Sequence, residues 1–312
     1  MQINGTEIQP GEQTSLKLSV GQLPSGTRIS IHAHVFRSKN PGPSLLVLGG
    51  VHGDEINGVE IIRRSVNDGM FNKLTSGSVI AIPLLNIFGF INFSRDVPDG
   101  KDVNRSFPGS TAGSLASRVA RTITKKILPV VDFGVDFHTG GKSLYNYPQI
   151  RFSRNHPESE SLAREFAAPF SLEMRPISKS LRKTALDLGK PIIVFEGGES
   201  LRYDALAIRE GMAGLKRLLL SKNMIHAKPA KKESRLFRKT KWVRAEKAGM
   251  FLWLKSSGSK VEKGEIIGQI NGPYGKGDTI WVKAIETGTI IGHNNAPVVS
   301  QGDALFHIAY EL

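Results

Sequence analysis

The chain predicts an α/β protein, a mostly parallel, twisted sheet flanked on both faces by helices, followed by a small β-rich unit. Three observations carry that expectation. Apolar runs of strand length alternate with helix-length stretches from about residue 44 to 221, which is the pattern of βα units. Three of those runs, 44–48, 131–137 and 191–196, are largely apolar, as strands covered on both faces are. Beyond residue 241 the character changes to brief β-rich runs punctuated by Gly249, Gly258, Gly264, Gly268, Gly288, Gly292 and Gly302.

In chain order, 14–23 and 27–37 alternate well enough for two edge strands. A strand over 44–48, a helix over 56–71 and a strand over 78–84 follow. A long polar loop then leads to a helix over 112–128, with Ser110 and Thr111 as its N-cap, and a strand over 131–137. The remainder reads as a short strand near Ile150, a helix over 158–168, a helix around 181–188, a strand ending at Glu196 and a helix over 203–221. The domains expected are a main unit over 1–225, a basic linker over 226–242 and a small β-domain over 243–312.

At 312 residues the chain can bury a sizeable core. It has no cysteine, which excludes disulfides and thiolate zinc sites and fits a reducing compartment. The N-terminus lacks a basic segment followed by an apolar core. No run approaches the ~20 apolar residues of a membrane span, so a cytoplasmic protein with no membrane partner is expected. The net charge of +14 raises the question of nucleic acid. Much of it lies at Lys228, Lys231, Lys232, Arg235, Arg238, Lys239 and Lys241, interleaved only with Phe237 and Trp242. With no nucleic-acid motif present, nucleic acid is disfavoured and the run reads as a solvated linker. The charge instead favours capture of small anionic substrates, and the chain is compatible with a homo-oligomer.

The strand ends carry the chemistry. Leu48-Gly-Gly-Val-His52-Gly-Asp-Glu55 presents an imidazole and a carboxylate three residues apart on a tight loop, a spacing from which both reach one divalent ion. The run 130–141 stops at His138, a third ligand candidate, and Asp136 lies on the same face of that strand, placed to orient an imidazole. The strand before Gly197 delivers Glu196, the natural general base for an activated water. Between them the loop 94–109 is dense in arginine, aspartate and turn formers, and Arg105 beside Asn104 suits a carboxylate held by parallel hydrogen bonds.

Taken together, His52-Gly-Asp-Glu55, Asp102-Val-Asn104-Arg105-Ser-Phe-Pro-Gly, Asp136-Phe-His138-Thr and Glu196 resemble the succinylglutamate desuccinylase and aspartoacylase family, a branch of the zinc carboxypeptidase superfamily. The resemblance runs from about residue 25 to the C-terminus, and the Ser94-Arg95 to Gly100 segment is most similar to the bacterial desuccinylase-like members. It implies a zinc-carboxypeptidase-like fold and one zinc per chain on His52, Glu55 and His138. By the same resemblance Glu196 is the base or acid, Asn104 and Arg105 hold the substrate carboxylate, and Arg95 polarises the scissile carbonyl. Arg182 falls roughly where the family places another carboxylate-binding arginine, although a surface arginine on an exposed helix fits the residues equally well. The phrases around Gly264 and Gly288 resemble biotinyl/lipoyl-type β-domains, but the stretch between them lacks the hairpin of a modified lysine. A domain that shapes the substrate entrance is expected instead, with Tyr274 reaching the site as a phenolic donor.

These readings converge on a zinc-dependent hydrolase that removes an N-acyl group, of acetyl or succinyl type, from an amino-acid-like substrate. A zinc carboxypeptidase or an esterase would use the same machinery. A catalytically silent metal-binding scaffold is disfavoured because no ligand or base position is replaced.

Overall fold

A computed structural model describes residues 1–22, 26–227, 232–275 and 277–311. Leu23 of the first expected strand and Lys228 and Lys231 of the basic run lie outside the described residues. A two-stranded hairpin, β1 (Gln2–Ile3) and β2 (Thr6–Glu7), precedes a 13-stranded sheet. β3 (Gln13–Gln22) pairs antiparallel with β4 (Arg28–Arg37), and Leu16, Leu18 and Val20 of β3 alternate inward between polar neighbours. Only β3 is an edge, because β4 pairs on its other side with β6 (Ser78–Ile82), so the expectation of two edge strands is half met.

The centre is built from β5 (Ser44–Gly49), α1 (Ile56–Asn67), β6, α2 (Ile87–Ile91), α3 (Leu115–Thr122) and β7 (Phe133–Gly140). It continues through β8 (Leu144–Ser153), α4 (Pro157–Phe166), β9 (Phe170–Met174), α5 (Leu181–Asp187), β10 (Ile192–Glu199) and α6 (Ala205–Ser221). β6, β5, β7 and β10 run parallel in that spatial order, and β8 lies antiparallel beside β10. Helices cover both faces, as buried apolar strands require. Ile61 and Ile62 of α1, Phe166 of α4 and Leu215 and Leu218 of α6 pack on one face, and Val119 of α3 with Leu181 and Ala185 of α5 on the other.

Several boundaries differ from the sequence reading. The helix expected over 112–128 starts at Leu115, because the Ser114 side chain, not Ser110 or Thr111, accepts the backbone N–H of Ser117. The strand expected over 78–84 stops at Ile82, just before Pro83, which has no N–H for the ladder. The short strand near Ile150 is the ten-residue β8, and neither α2 nor β9 was foreseen.

The C-terminal part holds β11 (Arg235–Phe237), β12 (Lys239–Arg244), β13 (Gly249–Trp253), β14 (Lys260–Val261), β15 (Ile266–Asn271), β16 (Ile280–Lys283), β17 (Gly288–Asn294), β18 (Val298–Val299) and β19 (Ala304–Tyr310). The basic run is therefore not a solvated linker throughout: β11 pairs with β9, and β12 pairs with β19. Basic side chains point outward from these strands while Phe237 and Val243 go inward. A second sheet, in the order β16-β15-β13-β18, packs against β17 and β19 through Phe251, Ile267, Ile290 and Phe306. β17 also pairs with β8, so one sheet runs from the central strands into the C-terminal unit. Gly292 permits this seam, since a Cβ there would lie 2.9 Å from the Tyr145 carbonyl oxygen. Among the described residues no helix is long and apolar enough to cross a membrane.

Candidate metal centre and active site

The loop after β5 carries His52 and Glu55 into the end of the sheet, and β7 brings His138 alongside. Gly53 is demanded here, because a Cβ at that position would fall 1.9 Å from the Gly89 carbonyl carbon of α2. His52 Nδ1 lies 2.8 Å from Glu55 Oε1, His138 Nδ1 lies 2.7 Å from Glu55 Oε2, and the two Nδ1 atoms are 3.2 Å apart. All three side chains are buried. One ligand atom from each falls within 4.8 Å of the others, a set able to hold a metal ion.

The outer nitrogens decide how well that set suits a cation. His138 Nε2 is 2.9 Å from Asp136 Oδ2 and His52 Nε2 is 3.1 Å from Asp102 Oδ1. A proton on each Nε2, held by a carboxylate, leaves both Nδ1 lone pairs turned toward Glu55, the arrangement typical of metal-ligating histidines. Burial by itself would lower both imidazole pKa values. Glu55 and Asp102 nevertheless raise His52 above its ordinary value, and Asp136 and Glu55 raise His138 well above it. Burial would raise Glu55, yet His52 and His138 hold it well below the usual carboxylate range. With neutral imidazoles, the three carboxylates Glu55, Asp102 and Asp136 outnumber the guanidiniums paired with them, Arg95 and Arg105, so the cluster stays net negative, as a cation site should. The donor set therefore fits zinc.

A cavity of about 260 Å³ opens over this cluster and is lined also by Arg95, Asn104, Arg105, Arg182 and Glu196. His52, Glu55, His138, Arg95, Asn104, Arg105, Arg182 and Glu196 thus all line one cavity. Arg95 donates to Asp102 Oδ2 at 2.9 Å through Nη2, and its Nη1 lies 3.3 Å from Glu55 Oε1, directly beside the cluster. Asn104 Oδ1 accepts the Leu181 N–H at 2.9 Å, which fixes the arginine loop to α5 and leaves the amide NH2 as the group this lining residue can offer a ligand. Arg105 donates Nη1 to the Asn104 carbonyl at 2.7 Å. Arg182 is not a surface arginine, being 8 % exposed with a buried Nη1 that has no hydrogen-bond partner. Burial first, and then the nearby Arg151, lowers its pKa to about 10, so it stays charged at neutral pH and favours an anion.

Two site residues were missed. Arg151 Nη1 lies 2.8 Å from Glu196 Oε1, and Asn146 Nδ2 donates to Glu196 Oε2 at 2.9 Å. Both come from β8, where a register shift opposite Glu196 and Gly198 brings an even and an odd position to the same face. The one available signal is a strand that interrupts its apolar pattern with Asn146, Gln149 and Arg151. Tyr274 does not reach the site: it is 90 % exposed, and Trp242 of β12 lines the cavity instead.

Comparison with known proteins bears on the family and the fold. Residues 41–221, more than half of the chain, match the model of the succinylglutamate desuccinylase/aspartoacylase catalytic domain. The Nα-acetyl-L-2,4-diaminobutyric acid deacetylase of Halomonas elongata is 26 % identical over 290 residues, 87 % of this chain and 83 % of that protein. Product-bound ectoine utilization protein EutE (DoeB) of Ruegeria pomeroyi shares the fold at TM-score 0.86 and 23 % identity, covering 98 % of this chain and 97 % of that one. A succinylglutamate desuccinylase/aspartoacylase of Rhodobacter sphaeroides does so at 0.85 and 23 %, covering 96 % of each.

Proposed function

The chain belongs to the succinylglutamate desuccinylase/aspartoacylase family, and on that premise we propose that it removes an N-acyl group from a small carboxylate-bearing substrate with one zinc ion on His52, Glu55 and His138. It is a hydrolase of amide bonds, as the deacylases of this family are. The observation that carries the finer reading is the turning of both Nδ1 atoms toward Glu55, with Asp102 and Asp136 behind the two rings, in the cavity that also holds Glu196. Zinc on these donors would supply a Lewis acid that polarises a carbonyl and makes water acidic near neutral pH.

The chain's own groups do the rest. Glu196, its oxygens oriented by Arg151 and Asn146, takes the proton of the attacking water and returns it to the leaving amine. Arg95 offers N–H donors where the carbonyl oxygen gains charge. Arg105 and the Asn104 amide fix the substrate carboxylate, and Arg182 provides a second clamp for an anionic group. The phrases around Gly264 and Gly288 support reading the C-terminal unit as a flattened barrel of biotinyl/lipoyl kind. The name of the Halomonas elongata relative supports N-acetyl amino acids as the first substrates to try.

The test is metal analysis of the purified protein followed by a hydrolysis screen over N-acetyl, N-succinyl and N-formyl amino acids, with Nα-acetyl-L-2,4-diaminobutyrate among them. About one zinc per chain and turnover of at least one member are expected. A zinc-loaded protein that cleaves no acylated amine, ester or peptide would overturn the reading.

A further inference from the structure

We propose that Trp242 is a specificity-determining residue, whose indole receives the hydrocarbon part of the substrate. The inference rests on the deacylase reading and adds a selecting surface to it. Four guanidinium groups line the cavity, those of Arg95, Arg105, Arg151 and Arg182, and its large apolar side chains are Leu144, Ile177, Val194 and Trp242. Trp242 is by far the largest of these. Among the described residues it is also the one lining residue from the C-terminal unit.

The indole is held in place rather than left loose. Alternation along β12 sends Val243 into the core of the C-terminal unit and Trp242 to the opposite face. There the ring stacks on His307 of β19, with centroids 4.1 Å apart and planes 9° from parallel. His307 is buried and lacks a hydrogen-bond partner at Nδ1. Burial, then the Arg151 charge, keeps it neutral at ordinary pH, so it acts as a flat apolar support. Trp242 is paired with His307, His307 with Gly292, and Gly292 with Asn146, the residue that holds Glu196. Strand register thus fixes the indole relative to the catalytic carboxylate. A flat, supported, half-buried aromatic face beside polar groups is how proteins bind hydrocarbon at low entropic cost.

The test measures ligand binding directly. Calorimetry on the zinc-loaded full chain would compare acetate, butanoate and hexanoate as acyl products, and alanine, norvaline and norleucine as amine products. Variants are Trp242→Thr, which keeps strand propensity, and Trp242→Phe, which keeps the stack. In one of the two series, wild type and Trp242→Phe should tighten about fourfold per added methylene, and Trp242→Thr should lose that slope. Equal slopes in wild type and Trp242→Thr, or no gain with chain length in either wild-type series, would overturn the proposal. A residue that only packs the seam would lower Tm in both variants and leave the slopes unchanged. Failure of the deacylase reading would show separately, as no hydrolysis of the matching N-acyl amino acids by the wild type.

Discussion

Arg151 reaches across from β8 to place Nη1 2.8 Å from Glu196 Oε1, while Asn146 secures the other carboxylate oxygen. The orientation of the Glu196 carboxylate is therefore set by a neighbouring strand. Replacing Arg151 by Met should lower kcat by about tenfold or more, with loss of about 1.5–3 kcal/mol of stability as a charge-assisted hydrogen bond disappears. Arg151→Lys should recover part of both. Glu196→Gln should keep fold and zinc while turnover falls by about 10²-fold or more. Steady-state kinetics alongside denaturant unfolding separates these effects, and full activity in Glu196→Gln would place the base elsewhere.

Asp102 and Asp136 should matter nearly as much as the ligands they stand behind. Asp136→Asn and Asp102→Asn are each expected to weaken zinc binding by about 10–100-fold. His52→Ala and His138→Ala should lose most of the metal. Competition with a chromophoric chelator gives the affinities, and a double histidine variant that stays fully loaded would disprove the site.

On the function proposed above, Arg105 is expected to read substrate charge. Amidating the carboxylate of a good substrate should lower kcat/KM by about thirtyfold, or about 2 kcal/mol in transition-state binding. Arg105→Ala should process acid and amide alike. A wild type indifferent to amidation would mean that this arginine serves another group.

Acid sensitivity should come partly from the C-terminal unit. His293 accepts a hydrogen bond from Ser257 at Nδ1, and burial lowers its pKa to about 4; burial and then Arg151 lower that of His307 to about 3. The unfolded chain binds these protons near pH 6.5 and the folded chain does not, so their contribution is complete above that pH and is lost as pH falls. The slope is about 1.4 kcal/mol per pH unit for each group, ending near pH 4 for His293 and near pH 3 for His307. Denaturant unfolding at pH 7, 5.5 and 4.5 should show a shallower decline for His307→Phe, by one group's share. Identical pH slopes would contradict the burial argument.

Residues that end a strand were legible in the sequence, and residues that depend on strand pairing were not. His52, His138 and Glu196 each follow an apolar run, so local pattern alone places them at one end of a parallel sheet. Asp136 was legible because alternation puts it on the face of its neighbour two residues on. Asp102 was read only as part of a motif; its contact with His52 spans 50 positions and depends on how the arginine loop closes. Asn146 and Arg151 needed the register shift between β8 and β10, which no local pattern encodes. Tyr274 was misplaced for the same reason, since fixing its position required the pairing of the C-terminal strands. The basic run was misread because charge on the outward positions of β11 and β12 looks the same as charge on a solvated chain.

The pairing of β17 with β8 bears on any attempt to dissect this protein. A shortened chain that ends before β17 would bare the amide and carbonyl groups of Leu144, Tyr145 and Asn146, the part of that edge of β8 that β9 does not cover, a template for joining other chains. Removal of the C-terminal unit should thus give aggregated material rather than a slower enzyme. The same shared sheet argues against exchanging that unit as a cassette with another protein, and for its melting in one step with the rest.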